Sequence, residues 1–258
     1  MKELSIVLNN CLELKRHIIG VRFVEDEEEY KKSRAMAPKN PMNYCGMVKS
    51  ASVGHSLKSD EGLMKCKSAV KTLGINSEDV VNSKGENWTR LGIYKDQDVS
   101  QDVRSTLTYR QVPTYGVIVK PLEEYTEDEP NPHVVLVIGN PYNVMRLTQG
   151  YAYHYGMPQN INFIGNQGIC LESTARPYEM DDINMSMLCI GTRHRAGWQE
   201  DEMSVGIPIT KLENIVDGIL KTIDQMESNE KKKKIEEKFK SSESDIDIRY
   251  DYNYYKDC

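Results

Sequence analysis

HVVLVIGNPYNVMRLTQGYAYHYG, residues His133–Gly156, is the stretch that decides the fold of this 258-residue chain. Val134–Ile138 is an unbroken aliphatic run, too short to cross a membrane and typical of a strand that is buried on both faces. Asn140 can cap a helix and Pro141 suits the first helical position. Apolar residues then recur at helical spacing as far as Gly156. The stretch therefore predicts a strand, a tight turn and a helix.

The segments around this unit predict further helices and strands. Residues 59–61, Ser-Asp-Glu, favour the start of a helix that Gly74 would end, and Cys66 would lie on its apolar face. An apolar stripe over residues 212–223 predicts a last buried helix. We therefore expect a single α/β domain over residues 1–226, with a mixed β-sheet packed by helices.

The composition changes after residue 226. Four consecutive lysines at 231–234 are followed, from Ser241, by a segment with few aliphatic residues and several tyrosines. Segments of this composition bury too little apolar surface to form a core. We predict that residues 227–258 form a flexible C-terminal tail.

Charge and hydropathy argue against nucleic-acid-binding and membrane-spanning classes of protein. The net charge of −6 gives no electrostatic case for binding nucleic acid. The apolar runs fall short of a membrane span, and an amphipathic rather than continuously apolar segment follows Lys2 and Glu3, so we expect a cytoplasmic protein without a membrane partner. In that compartment the six cysteines are more typical of thiols or metal ligands than of disulfides. A homo-oligomer is compatible with the sequence, which does not fix the oligomeric state.

The chain resembles the domain of unknown function family 169, also labelled ArCR, of archaea and bacteria. The resemblance is carried by IIGVRF at 18–23, the Cys45 segment, CKSAVKTLGI at 66–75, the stretch 134–156, Cys170, MLCIGTR at 187–193 and VGIPITKLENIVDGI at 205–219. It covers roughly residues 1–226 in the family's order. It implies a shared fold, and it supplies no reaction because the family's activity is not established.

Four cysteines within that region are candidate ligands: Cys45, Cys66, Cys170 and Cys189. Each lies near an expected turn or element end, with glycine or serine close by. Four thiolates would complete a zinc site or hold an iron–sulfur cluster. The resemblance favours this hypothesis, since the matching family positions commonly carry cysteine. The alternative is packing, because free cysteine is often buried as a small hydrophobe and no CxxC motif is present.

A second group of residues suits an anionic small molecule. Residues 191–198 are predicted to form a loop, in which Arg193 and Arg195 flank His194 in an otherwise acidic chain. Guanidinium groups bind carboxylates and phosphates. Pairing with the nearby acidic residues 200–202 is the alternative. The turn at Asn140 offers backbone N–H groups at the positive end of a helix dipole, and Arg146 follows it. We expect Asn140, Arg146, Arg193 and Arg195 to contribute to such a site.

Three functions remain open from the sequence. The first is a small-molecule protein with a cysteine-bound metal or iron–sulfur centre, which would supply Lewis-acid or redox chemistry. The second is a non-catalytic ligand-binding or accessory protein whose cysteines are packing residues. The third is a thiol-based enzyme with Cys189 or Cys45 as nucleophile. Nucleophile-elbow, Rossmann and Walker motifs are absent, so the common hydrolase and nucleotide-binding sites are not indicated.

Overall fold

The computed structural model describes residues 1–75 and 85–252. The strands are β1 (Ile19–Val24), β2 (Leu57–Asp60), β3 (Gly116–Pro121), β4 (Val134–Gly139), β5 (Asn184–Ser186) and β6 (Met203–Pro208). The helices are α1 (Lys2–Leu12), α2 (Glu27–Lys32), α3 (Tyr44–Ala51), α4 (Lys67–Thr72), α5 (Glu86–Arg90), α6 (Gln97–Ser105), α7 (Pro141–Tyr155), α8 (Arg176–Met180), α9 (Ile190–Ala196), α10 (Ile209–Lys221), α11 (Ile223–Met226) and α12 (Asn229–Ser241). A short 3₁₀ helix spans Leu122–Glu124, and a π-helix spans Gly168–Ala175.

The six strands form one sheet in the order β2-β3-β1-β4-β6-β5. Neighbouring strands are antiparallel, and within the described residues parallel pairing is confined to isolated bridges at Met36–Leu57 and Met42–Met64. Helices pack on the sheet, so the predicted single α/β domain is confirmed. The mixture of strand directions expected from the sequence is limited to these two bridges.

The β4–α7 unit has the predicted form. Asn140 caps α7 by accepting a hydrogen bond from the backbone N–H of Asn143 at 3.0 Å, and the Asn143 side chain accepts one from the Asn140 N–H at the same distance. This reciprocal pair is a capping box, which satisfies two N–H groups at the helix start. Gly156 ends the helix with a φ of 72°, a left-handed value that suits glycine.

Both faces of β4 are buried, because successive strand residues point to opposite sides of the sheet. Val135 and Val137 join a core made largely by α1, α7, α10 and α12. Val134, Leu136 and Ile138 join a second core made largely by α3, α4 and the π-helix. The sheet thus separates two helical layers, which we call the α7 side and the α3 side.

Two predicted elements differ from the structure. Residues 57–60 are the edge strand β2 rather than the start of a helix, because they pair with β3, with Ser59 opposite Val117. Cys66 consequently caps the short helix α4 instead of lying within a longer one. The basic segment predicted as a loop at 191–198 includes the helix α9, which begins after Cys189.

The segment predicted as a flexible tail packs on the α7 side over its described part. Ile235 and Phe239 of α12 are buried in that core, and Ile246, Ile248 and Tyr250 pack against it. The apolar residues of α12 lie four positions apart among charged ones, which gives a stripe narrow enough to be missed in the composition. Residues 253–258, including Cys258, lie outside the described residues.

No helix in the described ranges is long and apolar enough to cross a membrane.

Candidate functional site

Four separate elements of the α3 side carry the candidate cysteines. Cys45 lies in the first turn of α3, Cys66 caps α4, Cys170 lies in the π-helix, and Cys189 caps α9. The helix α3 contacts both α9 and the π-helix, and α4 also contacts the π-helix. All four side chains are half-buried and are present as free thiols. The fold therefore brings together residues that are as much as 144 positions apart in sequence.

The thiols act on one another electrostatically. Burial raises the pKa of the Cys170 thiol well above its ordinary value, and the charges of Cys66, Cys189 and Cys45 raise it further. Burial also raises the pKa of Cys45 to about 11, with the charges of Cys189 and Cys66 as the next causes. Proton loss from one thiol is thus opposed by the others and by the poor solvation of the thiolate.

Thr192 lies beside two of these cysteines. Its hydroxyl oxygen is 2.9 Å from the Cys189 sulfur, and its backbone N–H donates to the same sulfur at 3.4 Å. A hydrogen bond with the Thr192 side chain also lowers the pKa of Cys45. The threonine is buried at the start of α9, so it connects the sulfurs of α3 and α9 through one hydroxyl.

The turn before Cys189 is held by a buried carboxylate. Glu172, in the π-helix, accepts hydrogen bonds from the backbone N–H groups of Ile164 at 2.6 Å and Gly165 at 2.9 Å, and from the Ser186 hydroxyl. The Ser186 oxygen in turn accepts from the N–H of Leu188 at 3.0 Å. Leu188 has a φ of 62°, which is uncommon for a residue other than glycine and persists where surrounding contacts hold it. The network therefore fixes the backbone from which Cys189 projects.

The donor chemistry of these residues fits a thiophilic cation. Thiolates are the preferred protein ligands of zinc in structural sites and of iron–sulfur clusters. A π-helix interrupts regular hydrogen bonding and often occurs at functional sites. In residues 1–75 and 85–252, however, no group of three or more His, Cys, Asp or Glu side chains has the arrangement of a metal site. Convergence of the four sulfurs on one centre therefore stays a prediction.

Cys11 lies apart from these four residues. It belongs to α1 and is buried on the α7 side, across the sheet. Burial raises its pKa to about 12. Cys11 is thus a packing cysteine, and it offers a control for the other four.

The predicted anion site at the start of α7 has internal partners instead. The Asn140 N–H and side chain are used in the capping box. Arg146 is fully buried, and its Nε donates to the Glu227 carboxylate at 2.7 Å. Its other nitrogens donate to the Gln149 side chain at 2.7 Å, the Thr222 hydroxyl at 3.2 Å and the Ile219 carbonyl at 3.1 Å. We therefore assign Asn140 and Arg146 structural roles and do not extend the anion hypothesis to them.

The basic residues of α9 divide into two kinds. Arg193 donates to the backbone carbonyls of Met187 at 2.7 Å and Glu202 at 3.0 Å and to that of Gln199, so it ties α9 to the segments around it. Arg195 is exposed on the same helix. Internal pairing thus accounts for Arg193, while the anion-binding role of Arg195 stays a prediction.

The chain is similar to a known protein and a known family along most of its length. An uncharacterised protein of Methanocaldococcus jannaschii is 24% identical over 222 residues, which are 85% of this chain and 93% of that protein. No solved structure matches the chain. The profile of one family matches residues 7–218, a range that contains the four cysteines, Thr192 and Glu172. The resemblance seen in the sequence is therefore confirmed: the chain belongs to the family of uncharacterised ArCR proteins, domain of unknown function 169.

Proposed function

We propose that this is a cytoplasmic protein that binds a thiophilic metal ion or an iron–sulfur cluster through Cys45, Cys66, Cys170 and Cys189. The observation that carries the proposal is the packing of α3 against α9 and the π-helix, and of α4 against the π-helix, which brings four half-buried thiols to the α3 side. Free thiols among the described cysteines are consistent with a reducing compartment.

The raised pKa of Cys45 favours a metal ligand over a thiol nucleophile at this residue. With a pKa of about 11 for Cys45, only about one molecule in 10⁴ carries that thiolate at neutral pH. A reactive cysteine normally has a lowered pKa, produced by a neighbouring cation or a helix N-terminus. A bound metal cation removes this difficulty, because it displaces the protons and offsets the repulsion between the thiolates.

Neighbouring groups would support such a site. The Thr192 hydroxyl and N–H lie beside the Cys189 sulfur, and hydrogen bonds to ligand sulfurs orient them and tune the metal. The network from Glu172 to Leu188 would hold the Cys189 backbone in place. Zinc would supply a structural centre or a Lewis acid, whereas a cluster would supply electron transfer. Arg195, exposed on the Cys189 helix, is the residue to which we assign contact with an anionic small molecule.

Metal analysis of the full chain tests the proposal. The protein is expressed with iron and cysteine in the medium, purified without oxygen, and examined by elemental analysis and visible absorption. We expect iron with sulfide and a visible charge-transfer spectrum for a cluster, or zinc for a single ion. Cobalt added to a zinc form should give sulfur-to-cobalt charge-transfer bands.

Single serine substitutions identify the ligands. Cys45→Ser, Cys66→Ser, Cys170→Ser and Cys189→Ser should each reduce the bound metal, and Cys11→Ser should retain it. A folded wild-type protein without metal under these conditions would contradict the proposal and favour cysteines as packing residues. Equal metal content in all five variants would contradict the ligand assignment.

A further inference from the structure

One arginine beside the thiol region has hydrogen-bond donors that the fold does not use. Arg104 of α6 is half-buried, and its guanidinium has no hydrogen bond or ion pair with the residues that the structure describes. Every other described arginine that is not exposed has such a partner: Arg16, Arg22, Arg110, Arg146, Arg176 and Arg193. Arg104 is thus the exception among the partly or fully buried arginines of residues 1–75 and 85–252.

Two aromatic rings hold the Arg104 guanidinium. Its Cζ atom lies 5.5 Å from the centre of the Trp88 ring and 5.8 Å from that of Tyr109. The Trp88 ring packs against Tyr94 at 5.7 Å, and the Asn166 side chain donates to the Tyr94 hydroxyl at 2.8 Å. Packing against aromatic faces positions a guanidinium and leaves its N–H groups free to bind two oxygens at once. Arg104 is therefore oriented before a ligand arrives.

Gln167 offers a second unused donor close to the same tyrosine. The residue is 5% exposed, and its Oε1 atom lies 3.4 Å from the Tyr109 hydroxyl oxygen. Its Nε2 group donates to no described residue, and it keeps accessible surface, because it is not one of the enclosed atoms that lack a partner. Polar groups of residues this deeply buried normally have partners. The free N–H groups of Gln167 therefore indicate an acceptor that comes from outside the chain.

The two donors adjoin the Cys170 thiol. Gln167 begins the π-helix, and its backbone carbonyl accepts from the N–H of Leu171 at 3.3 Å, so this turn includes Cys170. Burial raises the pKa of Tyr109, the Arg104 cation opposes that shift, and a charge on Cys170 adds to it. Tyr109 is thus within electrostatic reach of both groups. Free N–H groups around an uncompensated positive charge favour an anion.

We propose that Arg104 and Gln167 bind the oxyanion group, a carboxylate or a phosphate, of a small molecule beside Cys170. The guanidinium would hold two of its oxygens, and the Gln167 amide would donate to the anion from the π-helix. This contact is additional to that of Arg195, which lies on the Cys189 helix. It does not require bound metal, so the metal proposal and this proposal can fail separately.

Tryptophan fluorescence of the full chain tests the proposal with named probes. The sequence contains two tryptophans, so Trp198→Phe leaves Trp88, which touches Arg104, as the source of the signal. We expect inorganic phosphate or succinate to change this signal saturably, compared with sodium chloride at equal ionic strength. A response to phosphate alone would identify a phosphate ester as the ligand class, and a response to succinate alone a carboxylic acid. Absence of a saturable response to both anions would overturn the proposal.

Two variants in the same background assign the donors. Arg104→Gln removes the charge without breaking an ion pair, and Gln167→Glu keeps the oxygen near Tyr109 but replaces the N–H donors. Each should weaken binding of the responding anion by about 10-fold or more, the ratio expected for a hydrogen bond to a charged group, with thermal midpoints close to that of the parent.

Arg90→Gln is the matched control. Arg90 is an exposed arginine of the adjacent helix α5, and it donates to the Asn87 side chain at 2.7 Å. Its removal changes the net charge equally and should leave the affinity unchanged. Unchanged affinity in Arg104→Gln or Gln167→Glu, or an equal loss in Arg90→Gln, would overturn the assignment.

Discussion

Replacement of Arg146 by methionine tests whether this arginine holds the fold or binds an external anion. Arg146 and its partner Glu227 have side chains that are 0% and 1% exposed, with Nε and Oε1 2.7 Å apart. Methionine preserves much of the apolar stem but removes the charge and the donors. Glu227 would then be a buried carboxylate without a compensating cation.

The cost of the substitution follows from that orphaned charge. Breaking a buried ion pair by removing one partner costs about 3–5 kcal/mol. The Thr222 hydroxyl and the Ile219 carbonyl would also lose hydrogen bonds from the guanidinium. For a chain of this size, each kcal/mol shifts the thermal midpoint by about 2–4 °C, so we expect a decrease of roughly 6–20 °C.

Thermal and urea unfolding of three variants separates the contributions. Arg146→Met and Glu227→Met should each be strongly destabilised, and the double variant should regain much of the loss because no buried charge is left alone. Lys31→Met removes an exposed ion pair with Glu27 and should not shift the midpoint measurably. A loss below about 1 kcal/mol in Arg146→Met would refute the structural role and restore the anion hypothesis.

Four further predictions concern packing, close contact, pH and the C-terminal segment. Ile138→Ala should lower the free energy of unfolding by about 2–5 kcal/mol in urea, since the side chain is 3% exposed, and a near-neutral result would contradict its place in the core. Gly218→Ala should lower the free energy of unfolding by about 1–3 kcal/mol, because the new Cβ would overlap the Gly150 carbonyl of α7. Gly191→Ala has open space around its Cβ and should leave the free energy of unfolding unchanged or raise it. A change of the same sign in both variants would refute the contact argument. Burial lowers the pKa of His133 from 6.5 to about 4, so the unfolded chain binds more protons than the folded chain between these pH values. The free energy of unfolding should therefore fall as the pH falls through this window. His133→Asn should lose this part of the pH dependence, and identical pH profiles for the two proteins would contradict the prediction. Deletion of residues 242–258 should lower the thermal stability by roughly 1–3 kcal/mol, because partly buried side chains of this segment pack on the core, and an unchanged midpoint would support the flexible tail predicted from composition.

Local sequence signals were sufficient to predict the β4–α7 unit. A short aliphatic run, a capping residue, a proline at the first helical position and a terminal glycine all fall within 24 residues. Each acts through its own backbone neighbours, so no knowledge of distant contacts is needed. The burial of α10 was likewise predictable, because its apolar stripe repeats over several turns.

Elements defined by distant partners could not be predicted in the same way. Ser59 and Asp60 look like a helix start, yet their segment pairs with β3, which lies more than 50 residues further along the chain. The strand directions have the same origin, since the antiparallel pairing of β1 with β4 depends on the path of the intervening chain. The sequence of one strand contains little information about which distant strand it pairs with.

The four candidate cysteines were named from the sequence, and their role as ligands stays a prediction, whereas the residues around them were not foreseen. Cysteines are few, so the sequence and the resemblance could single out four of them. Thr192 and Glu172 were missed, because a threonine and a glutamate have no distinctive spacing and become significant only beside Cys189. For Arg146 the position near a helix start predicted an anionic ligand, and the structure gives this arginine an internal carboxylate partner 81 residues away.

The alternation of side chains along β1 and β3 determines which side of the sheet each residue faces. Val21 and Val119 face the core on the α3 side, and the next residues, Arg22 and Lys120, project from the opposite face. A shift of one residue in the register would exchange these sets, so the core against which α3 packs depends on this strand pairing. Cys11 lies on the α7 side, and the four candidate cysteines lie on the α3 side. Their serine variants therefore probe opposite faces of the sheet, and a loss of metal in Cys11→Ser as well would have to act through the fold itself.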